Sequence, residues 1–156
     1  MTEAVQLSEG GLADLEAVMA VMEDSFDPSF GEAWTSSQCA GLLPLPGVWL
    51  TLAWIGNEVA GFALSRAVAG EAELLLLAVR QRDQRHGVGK ILLEEFMKAA
   101  RIRCATRFHL EVREGNHAVK LYERAGFSLV GRRRDYYSGA GNRRHDALTL
   151  ARSAKG

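Results

Sequence analysis

The sequence has few cysteines, no excess of charge of either sign and no long apolar run. Its 156 residues include two cysteines, Cys39 and Cys104, whose separation does not fit the closely spaced ligands of a metal site. The 19 lysines and arginines balance the 19 aspartates and glutamates, so no net charge attracts nucleic acid or an anionic membrane. The longest apolar runs are too short to span a bilayer. We therefore expect no metal, no direct nucleic-acid partner and no membrane association.

We also expect no secretory targeting segment. Residues 1–6 contain neither the basic residues nor the apolar stretch of a signal peptide. With so few cysteines, this predicts a protein of the reducing cytoplasm. No repeat, low-complexity tract or linker divides the chain, and 156 residues suffice to bury a core without disulfides. We expect a single domain spanning residues 1–156, present as a monomer or a weak homodimer.

Hydrophobic periodicity predicts a mixed α/β fold. The apolar run Leu74–Val79 between turn residues predicts a central strand covered on both faces. Strands followed by alternating strands and helices predict a mixed sheet with helices on both faces. In chain order we predict helices at 12–25 and 35–41, a hairpin of strands at 48–55 and 59–68, a strand at 74–79, a helix at 87–103, a strand at 106–113, a helix at 116–125 and strands at 127–137 and 144–150.

A glycine-containing turn, Gln84–Lys90, opens the long amphipathic helix. Free amides at a helix start favour bound anions, and Gly87 and Gly89 would let the backbone approach a phosphate closely. Arg85 and Lys90 add positive charge. A left-handed turn carrying solvated basic residues explains the same pattern without a ligand. No Gly-Lys-Ser/Thr follows, which argues against a nucleotide-hydrolysing P-loop.

Glu111 is a lone carboxylate within the strand at 106–113. It could be an edge-strand charge paired with His109 or Arg113, or it could be a general base that takes a proton from an amine. Deprotonating an α-amine of pKa about 7.8 costs roughly 1 kcal/mol at pH 7, whereas a lysine of pKa about 10.4 costs roughly 5 kcal/mol. A carboxylate acting through water is therefore better suited to an N-terminal amine.

Tyr122 and Asn116 belong to the short helix that follows this strand. Tyr122 could be a core aromatic residue, or it could give a proton to a departing thiolate, since thiols have a pKa of about 8.5 and phenols about 10. Asn116 could cap the helix, contact a cofactor, or do both.

In their order and spacing, these motifs resemble the GCN5-related N-acetyltransferases over residues 12–150. More narrowly, the chain resembles the bacterial ribosomal-protein-alanine N-acetyltransferases. The matching segments are Leu77-Ala78-Val79, Gln84-Arg85-x-Gly87-x-Gly89, Leu110-Glu111-Val112-Arg113, Asn116, Leu121-Tyr122-Glu123, Gly126-Phe127, Arg133-Arg134-x-Tyr136-Tyr137 and Asp146-Ala147.

The resemblance implies the acyl-CoA N-acyltransferase fold, acetyl-CoA as co-substrate, and direct transfer in a ternary complex. It implies Glu111 as the base and Tyr122 as the acid, with no acyl-enzyme. Cys39 and Cys104 would then be small core residues on helices. The implied cofactor-binding residues are Leu77, Ala78, Val79, Gln84, Arg85, His86, Gly87, Val88, Gly89, Lys90 and Asn116. The implied acceptor-binding residues are Trp34, Arg134, Tyr136 and Tyr137.

Three positions depart from the family pattern, and one of them is Gly115, where relatives often carry serine before the asparagine. Arg80-Gln81 replaces an acidic residue and a proline, which we expect to loosen the loop after the central strand. Ala33 replaces a proline before Trp34, which we expect to change the shape of the acceptor loop.

The sequence favours transfer of an acetyl group to the N-terminal α-amine of a small-subunit ribosomal protein that begins with alanine. Three alternatives stay open. The acceptor could be a small amine or a lysine, the chain could be a non-catalytic acetyl-CoA sensor, or Arg132–Arg134 with the adjacent tyrosines could contact RNA.

Overall fold

The computed structural model describes residues 4–155, which form a seven-stranded sheet with helices on both faces. The strand order is β1-β2-β3-β4-β5-β7-β6. The elements are β1 Val5–Gly10, α1 Leu15–Ser25, α2 Ser36–Leu42, β2 Val48–Ile55, β3 Glu58–Val68, β4 Glu71–Val79, α3 Val88–Ile102, β5 Arg107–Arg113, α4 Ala118–Arg124, β6 Ser128–Ser138 and β7 Arg144–Ser153. Within residues 4–155, no helix is long and apolar enough to cross a membrane, and no cluster of side chains suits a metal.

Strands β4 and β5 are parallel and separate part-way along their length. Residues 71–74 of β4 pair with residues 107–110 of β5, and the pairing stops there. On its other side β4 stays paired with β3 to Val79, across a bulge that leaves Leu75 without an opposite residue. Because the ladder ends while both strands continue, a groove opens between them.

Two apolar cores cover the two faces of the sheet. On one face, α1 buries Val18, Val21 and Met22 in a cluster that also contains Phe62. On the other face, α3 buries its apolar stripe in a cluster that includes Trp49, whose ring stacks 6.1 Å from that of Phe96. Each helix therefore fixes one side of the central strands, and the prediction of helices on both faces is confirmed.

Most predicted elements occur within a few residues of their expected positions. Thr35 caps α2 through its hydroxyl, which accepts the Gln38 amide at 3.1 Å, and Ile55 pairs with Glu58 across the expected two-residue turn. Strand β1 is absent from the prediction because only two of its six residues, Val5 and Leu7, have large apolar side chains. It pairs with β2 at one edge of the sheet.

Strand β4 contributes to the apolar clusters on both faces of the sheet, as predicted, although Leu75 and Leu77 are only partly buried where they line the groove. One expectation about an individual residue is wrong. Cys104 is exposed on a turn beyond the end of α3 with φ of 64°, so it is neither helical nor a core residue. Cys39 is 1% exposed within α2, as expected.

Candidate active site

The groove between β4 and β5 widens into a cavity of about 740 Å³. The cavity brings together eleven of the seventeen predicted site residues: Trp34, Leu77, Val79, Gln84, Arg85, Gly89, Glu111, Asn116, Tyr122, Tyr136 and Tyr137. Six others do not line it. Ala78 is buried in the core beneath α1, and Val88 is buried at the start of α3. The other four lie on the surface: His86, Gly87, Lys90 and Arg134.

The turn before α3 exposes a row of backbone amides at the cavity mouth. Arg85 and Gly87 adopt left-handed conformations with φ of 71° and 80°, and α3 begins at Val88. Within residues 4–155, the amides from Gly87 to Lys90 donate no backbone hydrogen bond. A Cβ at Gly87 would meet no atom within 4 Å, so the approach to these amides is open. This turn, which we call the anion cradle, therefore presents free N–H groups at the start of a 15-residue helix, the kind of position that favours an anion.

The loop that leads into this turn is tightly held. The Gln81 amide donates to Asp24 Oδ2 at 2.7 Å, and Gln81 Nε2 donates to the Asp24 carbonyl at 2.9 Å. Arg80 Nε donates to the Val59 carbonyl at 2.9 Å, and Gln84 Nε2 donates to the Val79 carbonyl at 3.0 Å. The expectation that Arg80-Gln81 loosens this loop is therefore wrong, because both side chains tie it to neighbouring elements.

Glu111 extends from β5 into the cavity and is paired with an arginine of β6. Arg133 Nε lies 2.8 Å from Glu111 Oε1, and the Glu111 side chain is 17% exposed. Neither partner suggested by the sequence pairs with it. His109 lies 3.8 Å from Glu73, and Arg113 pairs with Glu32. The candidate base is thus accessible from the cavity, but its carboxylate is already paired with the guanidinium of Arg133.

Two tyrosines line the cavity, and the pKa of each phenol is raised. Tyr122 is 5% exposed and packs edge-on to Phe127, so it is a core residue that also lines the cavity. Burial raises the pKa of Tyr122 well above the usual value for a phenol. Burial also raises the pKa of Tyr137, and the nearby carboxylates of Glu32 and Glu111 raise it further. Both groups therefore carry their proton at physiological pH.

Glu32 also lines the cavity, although no sequence pattern singles it out. Its side chain is 10% exposed, and its Oε1 lies 2.8 Å from Arg113 Nε. Its Oε2 accepts a hydrogen bond from Asn116 Nδ2 at 2.8 Å. Asn116 Oδ1 in turn accepts the Ala118 amide at 2.9 Å, so its side chain satisfies the first amide of α4, although the helix begins two residues later than predicted and His117 stands directly before it. The partners of Glu32 are more than 80 residues away along the chain, so no local pattern marks it.

The arginine run 132–134 does not form one continuous basic surface. Arg132 pairs with Glu114 at 2.7 Å and with Asp146 at 2.9 Å, while Arg133 pairs with Glu111. Two of the three charges are therefore neutralised within the protein, which disfavours a phosphate-binding role for the run.

Known proteins share this sequence pattern and fold. The chain is 33% identical over 134 residues to the ribosomal protein bS18-alanine N-acetyltransferase of Salmonella typhimurium, covering 76% of this chain and 87% of that protein. Identity to the enzyme of the same name from Haemophilus influenzae is 36% over 95 residues, which span 61% of this chain and 65% of that protein. The crystal structure of the ribosomal-protein-S18-alanine N-acetyltransferase from Escherichia coli superposes with a TM-score of 0.87 at 28% identity, over 97% of this chain and 94% of that one.

The family assignment rests on a match that covers most of the chain. The profile of the acetyltransferase (GNAT) family matches residues 15–127, from the start of α1 to the residue before β6. That range contains the anion cradle, Glu111 and Tyr122, and the seven-stranded sheet agrees with the fold resemblance. The chain belongs to the acetyltransferase (GNAT) family.

Proposed function

We propose that this protein transfers the acetyl group of acetyl-CoA to the N-terminal α-amine of a protein, and that the acceptor is a ribosomal protein beginning with alanine. One observation carries the proposal: a single cavity joins the anion cradle at Arg85 and Gly89 to Glu111, Tyr122 and Tyr137. The names of the similar bacterial enzymes support the ribosomal acceptor.

The cradle fits the diphosphate of acetyl-CoA. Its free amides stand at the positive end of a long helix, and the side chain of Arg85 adds positive charge at the cavity lining. Leu77 and Val79 line the groove that continues from the cradle, on the side of β4 where the ladder to β5 has ended. The described residues can therefore hold both the charged end and the extended arm of this co-substrate.

Glu111 and Tyr122 would handle the two protons of the reaction. Bound acetyl-CoA supplies a thioester carbonyl to the amine. Glu111 takes the proton from the acceptor ammonium, after that ammonium replaces the Arg133 guanidinium at its carboxylate. The amine then attacks the thioester carbonyl carbon, and Tyr122, which is protonated in the folded protein, gives its proton to the thiolate as the C–S bond breaks. The second proton lost by the attacking nitrogen restores the phenol. A lone carboxylate suits an α-amine, since deprotonating a lysine at pH 7 costs roughly 4 kcal/mol more.

Mass spectrometry of two matched peptides tests the proposal. The first has a free N-terminal alanine and no lysine, and the second has a blocked N-terminus and one internal lysine. We expect acetylation of the first only. Acetylation of the second alone would contradict the α-amine assignment, and acetylation of small amines with neither peptide modified would contradict the protein acceptor.

Two variants test the residue roles. We expect Glu111→Gln and Tyr122→Phe each to lower kcat by about 10² to 10⁴, the usual contribution of a positioned acid or base. Glu123→Gln, an exposed change next to Tyr122, is the matched control and should turn over like the wild type. Equally negligible rates in all four proteins, with acetyl-CoA still bound, would instead support a non-catalytic sensor.

A further inference from the structure

The loop between α1 and α2, residues 26–35, is joined to the start of α4 by one buried carboxylate. Glu32 holds Arg113 with one oxygen and Asn116 with the other, each at 2.8 Å. The side chains of Glu32 and Arg113 are 10% and 11% exposed, so the pair is largely removed from water. A buried charge is tolerated only when it is paired and hydrogen-bonded, and here both carboxylate oxygens have a partner.

The neighbours of Arg113 make this contact rigid. The Arg113 guanidinium lies 3.8 Å from the centre of the Phe30 ring, and Phe30 packs edge-on against His145 at 5.3 Å. Arg113 also donates through Nη1 to the Glu114 carbonyl at 3.0 Å. With the guanidinium held on three sides, the carboxylate of Glu32 has one favourable position.

That position decides which way the Asn116 amide points. An asparagine side chain offers two N–H donors and two lone pairs. Glu32 takes one N–H, and the Ala118 amide uses one lone pair. One donor and one acceptor of Asn116 therefore remain for a ligand in the cavity that this residue lines.

We propose that Glu32 is a positioning residue for Asn116, through which the loop at 26–35 controls the affinity for acetyl-CoA. The proposal rests on the proposed function, which places this co-substrate in the cavity. Glu32 itself does not contact the co-substrate. It fixes the amide that does, so a change in the acceptor-side loop alters binding on the co-substrate side.

The sign of the effect separates positioning from simple electrostatics. Acetyl-CoA is anionic, so removing a carboxylate near its site would strengthen its binding by Coulomb's law alone. Loss of the charge-assisted hydrogen bond that orients Asn116 would weaken binding instead. Glu32→Gln keeps the size of the side chain and removes its charge, so it distinguishes these two effects.

Calorimetric titration of acetyl-CoA into four proteins provides the test. We expect Glu32→Gln to raise the Kd about tenfold, the lower range for a hydrogen bond to a charged group. Asn116→Ala should raise it similarly, and the double variant should be no weaker than Asn116→Ala alone, because the two residues act as one unit. Glu114→Gln is the matched control, because it also removes one negative charge next to Arg113. The carboxylate of Glu114 pairs with Arg132 and does not line the cavity, so this variant should leave the Kd unchanged.

The other outcomes overturn the inference. Unchanged or tighter binding by a folded Glu32→Gln would show that Glu32 does not position Asn116. If Glu32→Gln raised only the KM for the acceptor, Glu32 would be a residue that binds the acceptor. Additive effects on the Kd in the double variant would show that Glu32 and Asn116 act independently. If Glu32→Gln unfolds, Asn116→Ala with native Glu32 must still weaken binding. A wild type that binds no acetyl-CoA would refute the proposed function itself.

Discussion

Replacing Arg133 by alanine tests whether a cation of the protein occupies the place of the acceptor's ammonium. Arg133 lies 2.8 Å from Glu111, and its own side chain is 61% exposed. If Glu111 receives the acceptor amine, the guanidinium must leave first. Arg133→Ala removes that competitor, so the acceptor should bind more tightly.

The size of the effect follows from the exposure of the pair. Ion pairs open to solvent contribute about 0.2–1 kcal/mol, and this one is exposed on the arginine side only. We therefore expect the upper half of that range, which corresponds to a fall in acceptor KM of roughly three- to fivefold. The kcat should change little, because Arg133 is absent from Glu111 during transfer.

Steady-state kinetics at saturating acetyl-CoA measures this change. Arg133→Lys keeps the charge and should keep most of the wild-type KM. Lys98→Ala, an exposed charge on α3 far from the cavity lining, controls for net charge. A higher acceptor KM in Arg133→Ala would mean that Arg133 binds the acceptor, and a lower kcat at constant KM would mean that it orients Glu111. Either result would refute the displacement.

Two further predictions concern the cradle and the phenols. Gly89→Ala should raise the melting temperature, since alanine in a helix is more stable than glycine by about 1 kcal/mol. The added methyl group would lie 3.4 Å from Leu121, so it should also narrow the cavity and weaken acetyl-CoA binding. Weaker binding without a gain in stability would contradict this prediction. Ultraviolet titration should show Tyr122 and Tyr137 resisting ionisation at pH about 10, because their pKa values are higher in the folded state. The contribution of these two phenols to the free energy of unfolding should therefore be constant below that pH and fall above it. Half-ionisation of both phenols in the folded protein at that pH would contradict their burial.

The glycine-containing turn and α3 could be predicted because their determinants are contiguous. Gly87 and Gly89 stand directly before an apolar stripe of helical period, and the structure places their turn at the cavity mouth. Strand β5 is a similar case. Its alternation buries Phe108 and Leu110 and turns Glu111 toward the cavity, as the sequence indicated.

The features that could not be predicted depend on contacts between distant segments. The groove exists because β4 and β5 separate after residue 74, and an apolar run alone does not show where a ladder ends. Glu32 and Arg133 gain their importance from partners on other elements, Asn116 and Glu111. Cys104 was misplaced because α3 stops at Ile102, two residues earlier than a helical cysteine would require.

The four residue pairs that connect β4 to β5 form a narrow seam between two halves of the sheet. A molecule that fills the groove touches both halves, so it binds the protein only when they stand at this separation. At a concentration one hundred times its Kd, such a molecule stabilises the folded state by about 2.7 kcal/mol. Resistance to heat in this protein is consequently expected to rise and fall with the supply of its acyl donor.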